Sequence, residues 1–181
     1  RDVTGVQTCA LPISAEDAIF RNAMRLLAGG VTIVATAWEG ERSGLTATAV
    51  CSLALNPPRV LASVNMQGRT YEMLAKSRIM SVNMLAQDHA VLAERFARKR
   101  AHESEDRFVQ SGWCERVTGA PVLADALAAL DCRITEIVSI DSHAILIGTV
   151  EDVLFGPKRP PLINFEGGFT TVLDTIPEKT T

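Results

Sequence analysis

The stretch GLTATAVCS, residues 44–52, puts Thr46, Ala47, Thr48 and Ala49 where a buried strand ordinarily carries Val, Ile or Phe. So thin a strand leaves room for a close neighbour, either another backbone or helix, or a flat ligand. Downstream, SVNMQGRT (63–70) ends a strand in Ser63, Val64 and Asn65 and passes through Gln67, Gly68 and Arg69 to Thr70 at a helix start. A carboxamide, a pliant turn, a guanidinium, a hydroxyl and unpaired helix N–H groups together suit a phosphate. The same residues also make an ordinary polar strand-to-helix turn. Phe96-Ala97-Arg98-Lys99-Arg100 closes a helical pattern with basic residues, which suits the helix dipole whether or not they touch a ligand. Of three histidines, His143 opens a strand directly after Asp141-Ser142, as a ligand contact or as a structural residue. His89 and His102 lie in helical or charged surroundings and are expected to be exposed. The G-x-G-x-x-G and G-x-x-x-x-G-K-[ST] phosphate loops are both absent, so a nucleotide would have to be held by other means.

The elements that must position these residues follow from periodicity. Ser14-Ala15-Glu16-Asp17 resembles a capping box, Phe20, Ala23, Met24 and Leu27 share one helical face, and Gly29-Gly30 ends that helix. Strands are expected at VTIVATAW (31–38), from Leu45 up to the NPP stop after a polar turn EGERSG, and at RVLASVN (59–65). TYEMLAKS and HAVLAERFARK read as helices flanking the strand RIMSVNML, and a polar, charged loop covers about 98–112. LAALDCRITEIVSI and HAILIGTVEDVLF read as two long strands joined at Asp141-Ser142. Strands in hairpin-like succession with few helices between them argue against a doubly wound parallel sheet and for a closed antiparallel barrel with peripheral helices.

A chain of 181 residues, 47% apolar and 22% charged, describes one soluble domain. The net charge of −3 argues against a general nucleic-acid binder. No apolar run approaches the roughly 20 residues that span a bilayer, so no membrane partner is expected and a cytoplasmic location is. The first residues stand apart: Val3 to Ile13 have neither helical nor strand period, and they back-translate onto a widely used sequencing adapter. Residues 1–13 are therefore expected to lie outside the fold, 14–175 to form a single domain and 176–181 a tail. Setting Cys9 aside leaves Cys51, Cys114 and Cys132 without a C-x-x-C pair, which points to a reduced compartment with neither disulfides nor a metal site.

FRNAMRLLAGGVTIVAT, GLTATAVCSLALNPP, SVNMQGRT, SVNML, LAERFA, DRF, TGAPVLADALAALDCRI, the SH-x(4)-G-x-V segment and FEGGF follow one another in an order that resembles the short-chain flavin reductases, from about residue 18 to 173. These are the reductase partners of two-component flavin-dependent monooxygenases, and the ATAVCS core and LDCR-to-SH segment look most similar to the 4-hydroxyphenylacetate hydroxylase and pyrimidine-utilisation branches. The resemblance implies an FMN-binding split β-barrel of antiparallel, Greek-key type, a homodimer, and a reaction in which NADH or NADPH reduces FMN or FAD for a separate oxygenase. A flavoprotein oxidase on the same barrel and a non-catalytic flavin-binding module remain the alternatives. By resemblance Thr46 to Ala49 hold the isoalloxazine ring, Ser63 to Asn65 and Gln67 to Thr70 the flavin and its phosphate, and Phe96, Ala97 and Arg98 add flavin contacts, with Arg107 as a further phosphate partner. Gly68 departs from the family's usual Ser. His143 is implied beside the nicotinamide, with Phe165, Gly167, Gly168 and Phe169 around the dinucleotide and Glu166 turned to solvent. No side chain is expected to act as acid or base, because nicotinamide C4 and flavin N5 exchange hydride directly.

Overall fold

The computed structural model describes residues 17–98, 107–109 and 112–172. The expectations for residues 1–13, the cap residues Ser14 to Glu16, Lys99, Arg100, His102 and the tail 176–181 lie outside them. Helices α1 (Asp17–Arg25), α2 (Arg69–Ser77) and α3 (Ala90–Ala97) accompany twelve strands. These are β1 (Gly29–Gly30), β2 (Thr32–Trp38), β3 (Glu41–Ala47), β4 (Val50–Leu55), β5 (Pro58–Asn65), β6 (Ile79–Met84), β7 (Trp113–Glu115), β8 (Pro121–Leu123), β9 (Ala128–Ile140), β10 (His143–Phe155), β11 (Ile163–Phe165) and β12 (Gly168–Thr170).

Seven strands form one sheet in the order β3-β2-β6-β9-β10-β5-β4, and every pairing in it is antiparallel. Its two edges, β3 and β4, are consecutive in the chain and are joined by Thr48 and Ala49 alone. Three peptide steps reach at most about 10 Å, so the sheet must roll until its edges meet. The Ser63 amide donates to the Ala49 carbonyl at 2.9 Å, carrying the β4–β5 pairing one residue into that link. Inside the roll, Val34, Ala47, Ala62, Val64, Met80, Val82, Ala144 and Leu146 form one core, closed at an end by Leu74 of α2.

The strand expected from Leu45 to the NPP stop is thus two strands bent around Thr48-Ala49. The preceding turn shrinks from EGERSG to Glu39-Gly40, both at positive φ (51° and 79°), the geometry of a tight hairpin that twists with its strands. Asp141 likewise takes φ 50° in the two-residue turn before His143, a conformation that Asp tolerates because its short side chain bonds locally.

A second core lies on the other face of β2, where Ile33 and Ala35 meet Ala93 and Phe96 of α3, Phe108, and Val122 and Leu123 of β8. β2 is therefore buried on both faces. Asn83 ties this layer down: it donates to the Ile33 carbonyl at 3.0 Å and accepts the Leu123 amide at 2.8 Å. α1 belongs to neither core. Phe20, Met24 and Leu27, read as sharing one helical face, are 59%, 47% and 66% exposed.

Candidate flavin site at the barrel seam

The seam explains the thin sequence. Ala47 points into the barrel and is 8% exposed. Its carbonyl accepts the Thr32 hydroxyl at 2.8 Å, and the Thr46 hydroxyl donates to the Ala93 carbonyl of α3 at 2.6 Å. Both expected site residues are thus committed to the fold through these groups, while Thr48 and Ala49 stand exposed at the crossing. Gly29 of β1 lies beside the crossing: a Cβ there would stand 3.4 Å from Thr48 Cβ, an ordinary contact.

β5 delivers the next residues to the same place. Val64 is buried, and Asn65, at the strand's exposed end, accepts the Gln67 amide on its side-chain oxygen at 2.7 Å. The chain then passes through Gly68 at φ 137° and ψ 163°, a region essentially closed to residues with a Cβ. This accounts for glycine where the family usually has Ser. α2 begins directly after it with no side chain capping its amides, and a Cβ built on Gly68 meets nothing within 4 Å. Free amides behind an open approach could hold an anion. Thr70 stands in its first turn, sharing a 2.8 Å hydrogen bond with the Ser43 hydroxyl and donating to the Gly44 carbonyl at 3.3 Å. Arg107 donates to that same carbonyl at 3.3 Å and to the Arg98 carbonyl at 2.7 Å, so its guanidinium arrives beside Thr70. Partial burial lowers its pKa from that of a free arginine. Arg69 is paired with Glu41 of β3.

His143 faces Asn65 across the β5–β10 pairing, and the Ser142 carbonyl accepts the Met66 amide at 2.9 Å. The imidazole is exposed; its Nδ1 shares a 2.9 Å hydrogen bond with the Ser142 hydroxyl. Phe165, Glu166, Gly167, Gly168 and Phe169 form the β11–β12 hairpin, whose turn takes φ 52° at Glu166 and 80° at Gly167. Gly167 therefore serves the turn itself. Glu166 is exposed, and β11 pairs with β1 so that Asn164 faces Gly29, the residue lying against Thr48. Thr48, Ala49, Ser63, Asn65, Gln67 to Thr70 and His143 thus form one connected rim, and the hairpin joins it through β1.

Phe96 is not on that rim. Its ring is 2% exposed and packs edge-on to Phe108 at 5.1 Å and against Trp113 at 5.7 Å, so only its backbone could meet a ligand. The neighbouring Ala97 and Arg98 are exposed at the end of α3. His89 is a correction: it is 8% exposed rather than free, because Nδ1 accepts the Ala86 amide and Nε2 lies 3.2 Å from Asp125. Ser43, Gly44 and Glu41 escaped sequence reasoning because their segment looked like a turn; only the β3 register brings them against α2.

The residues present fit a flat ring with an anionic tail: small exposed groups at the seam, free amides and hydroxyls at the start of α2, and a ring nitrogen donor or acceptor at His143. The Flavin reductase like domain matches residues 24–173. The FMN reductase (NADH) RutF of Agrobacterium fabrum is 42% identical over 146 residues, covering 81% of this chain and 83% of its own length. Among solved structures, the flavin reductase PheA2 in its native state has a TM-score of 0.78 at 34% identity, over 88% of this chain and 100% of that one. BorF, the flavin reductase component of a bacterial two-component tryptophan halogenase, has a TM-score of 0.81 at 25% identity, over 88% and 100%. With that match spanning both the rolled sheet and the seam, this chain belongs to the flavin reductase-like domain family.

Proposed function

We propose that the chain is an NADH-dependent FMN reductase whose reduced flavin leaves for a separate flavin-dependent oxygenase. The observation that carries the reading is the seam itself, where the rolled sheet joins an exposed small-residue crossing to an uncapped helix start and to His143. The relatives named FMN reductase (NADH) favour FMN and NADH over FAD and NADPH. A neighbour described as the reductase component of a two-component halogenase favours an oxygenase partner. A chain with NADH as its reductant works where that nucleotide is kept, in the cytoplasm.

When both are bound, the flavin and nicotinamide supply the hydride chemistry themselves. The chain's task is positioning. Thr48 and Ala49 leave a ring room to lie against the seam, the α2 amides with Thr70 hold a phosphate, and His143 orients the nicotinamide end by hydrogen bonding. The Phe165 and Phe169 rings, 40% and 38% exposed, offer stacking surface. We also infer a homodimer, because the apolar stripe of α1 packs into neither core and a second copy would cover it.

Stopped-flow spectra without oxygen test the reading. Catalytic amounts of protein should bleach free FMN with NADH well above the protein-free rate, and more slowly with FAD or NADPH. A rate equal to the blank overturns the proposal, and a retained flavin spectrum unmoved by NADH would make the chain a flavin-binding module.

A further inference from the structure

The β11–β12 hairpin is held from its base. The Gln87 amide donates to the Pro160 carbonyl at 2.8 Å, Ala86 bridges Pro161, and the Leu162 amide donates to the Leu85 carbonyl at 2.9 Å. Val31 closes the clamp on the other side, donating to the Leu162 carbonyl at 2.9 Å, while the Thr171 hydroxyl, beyond the hairpin, donates back to the Pro161 carbonyl at 2.7 Å. The segment from Pro161 to Thr171 is therefore pinned at its base, and beyond that base β11 pairs with β1 and the Glu166 amide donates to the Arg25 carbonyl at 2.8 Å.

Arg159 sits immediately before that base. Its guanidinium pairs with Asp88, donates to the Asp125 carbonyl and lies 3.9 Å from the Asp125 carboxylate. Nη2 also stands 3.5 Å from His89 Nε2. His89 completes the cluster: the Ala86 amide donates to Nδ1 at 3.2 Å, so Nε2 carries the proton and points it at Asp125, also 3.2 Å away. One planar cation thus fastens the chain before the hairpin to the 3-10 turn Gln87–His89 and to the turn between β8 and β9. The guanidinium's fixed fork lets one side chain bind both Asp88 and Asp125 at once.

We propose that Arg159, with His89 and Asp125, is a positioning cluster that sets where the Phe165–Phe169 hairpin stands, and through it the capture of NADH. None of the three touches the seam. The proposal rests on reading that hairpin as a dinucleotide contact, and the experiment separates the two.

Arg159→Gln removes the charge while leaving no carboxylate stranded, since Asp88 and Asp125 are 60% and 55% exposed and can be hydrated. The KM for NADH should rise by about threefold to thirtyfold, the range of coupling through packed networks, while the FMN dissociation constant and kcat change by less than about twofold. Arg159→Lys, which keeps the charge without the fork, should fall between. Amide exchange should quicken over 163–170 and not in β5 or β10. Phe169→Ala serves as the control. If Phe169→Ala raises the KM for NADH and Arg159→Gln does not, the positioning role is overturned and the hairpin reading stands. If neither moves it, the hairpin reading fails and takes the proposal with it. A drop in thermal midpoint with KM unchanged would also overturn it, leaving Arg159 a structural residue.

Discussion

Ala47 and Ala49, two residues apart on one thin stretch, have opposite tasks. Ala47 fills the barrel core and Ala49 stands exposed at the seam. A leucine at Ala47 should therefore be a folding lesion of roughly 1–3 kcal/mol through overpacking, seen as a lower urea midpoint. Ala49→Leu should leave that midpoint unchanged and weaken FMN binding in a fluorescence titration. If Ala49→Leu binds FMN normally, the ring does not lie at the crossing. His143 gives the complementary test, because it sits at the rim without sharing the helix amides. His143→Ala should raise the KM for NADH and lower turnover with FMN affinity nearly intact. Unaltered NADH kinetics would assign the imidazole to the turn it shares with Ser142, and loss of flavin together with activity would displace the whole site.

At the scale of elements, β3 is the pivot. One of its faces meets α2 through Ser43 and Thr70, and the other meets α3, where a Cβ on Gly44 would stand 2.8 Å from Phe96 Cε1 and 3.2 Å from the Val34 carbonyl. Phe96 cannot swing away, because Phe108 and Trp113 enclose it and themselves meet edge-on at 4.9 Å. Gly44→Ala should cost roughly 1–3 kcal/mol in chemical denaturation. It should also weaken FMN binding, since the Gly44 carbonyl aligns both Thr70 and Arg107. Full stability in that variant would show that the aromatic layer yields. The β2, β5, β6, β9 and β10 strands could be read from the sequence because each carries a long apolar or alternating run. The two-residue β1 and three-residue β7, β8, β11 and β12 could not, because segments so short carry no period and exist only by pairing.

For the whole molecule, the family match begins at residue 24, and we propose that the first thirteen residues are dispensable to the domain. A chain starting at Ser14 is expected to match the full chain in thermal midpoint and in FMN affinity. A clear loss in either would mean that the leading segment packs on the domain. The same scale governs closure. The sheet order puts β3 and β4 at opposite edges, and only their two-residue link demands that the edges meet.

Residue type and order in the sequence determined the family and the antiparallel strands, and marked the stretches 46–49, 63–70, 143 and 165–169 as candidate parts of a site. Those signals are local: a missing side chain, a strand-to-helix turn, a histidine after a hairpin. Tertiary structure alone decided which face each residue shows. It turned Ala47 and Phe96 into core, spent the Thr46 hydroxyl on α3, buried His89, and put Glu41 and Ser43 opposite α2. The physical reason is that a strand's two faces alternate with every residue. A change of strand end or register by a single position exchanges core for site, and that register is set by partners distant in the chain.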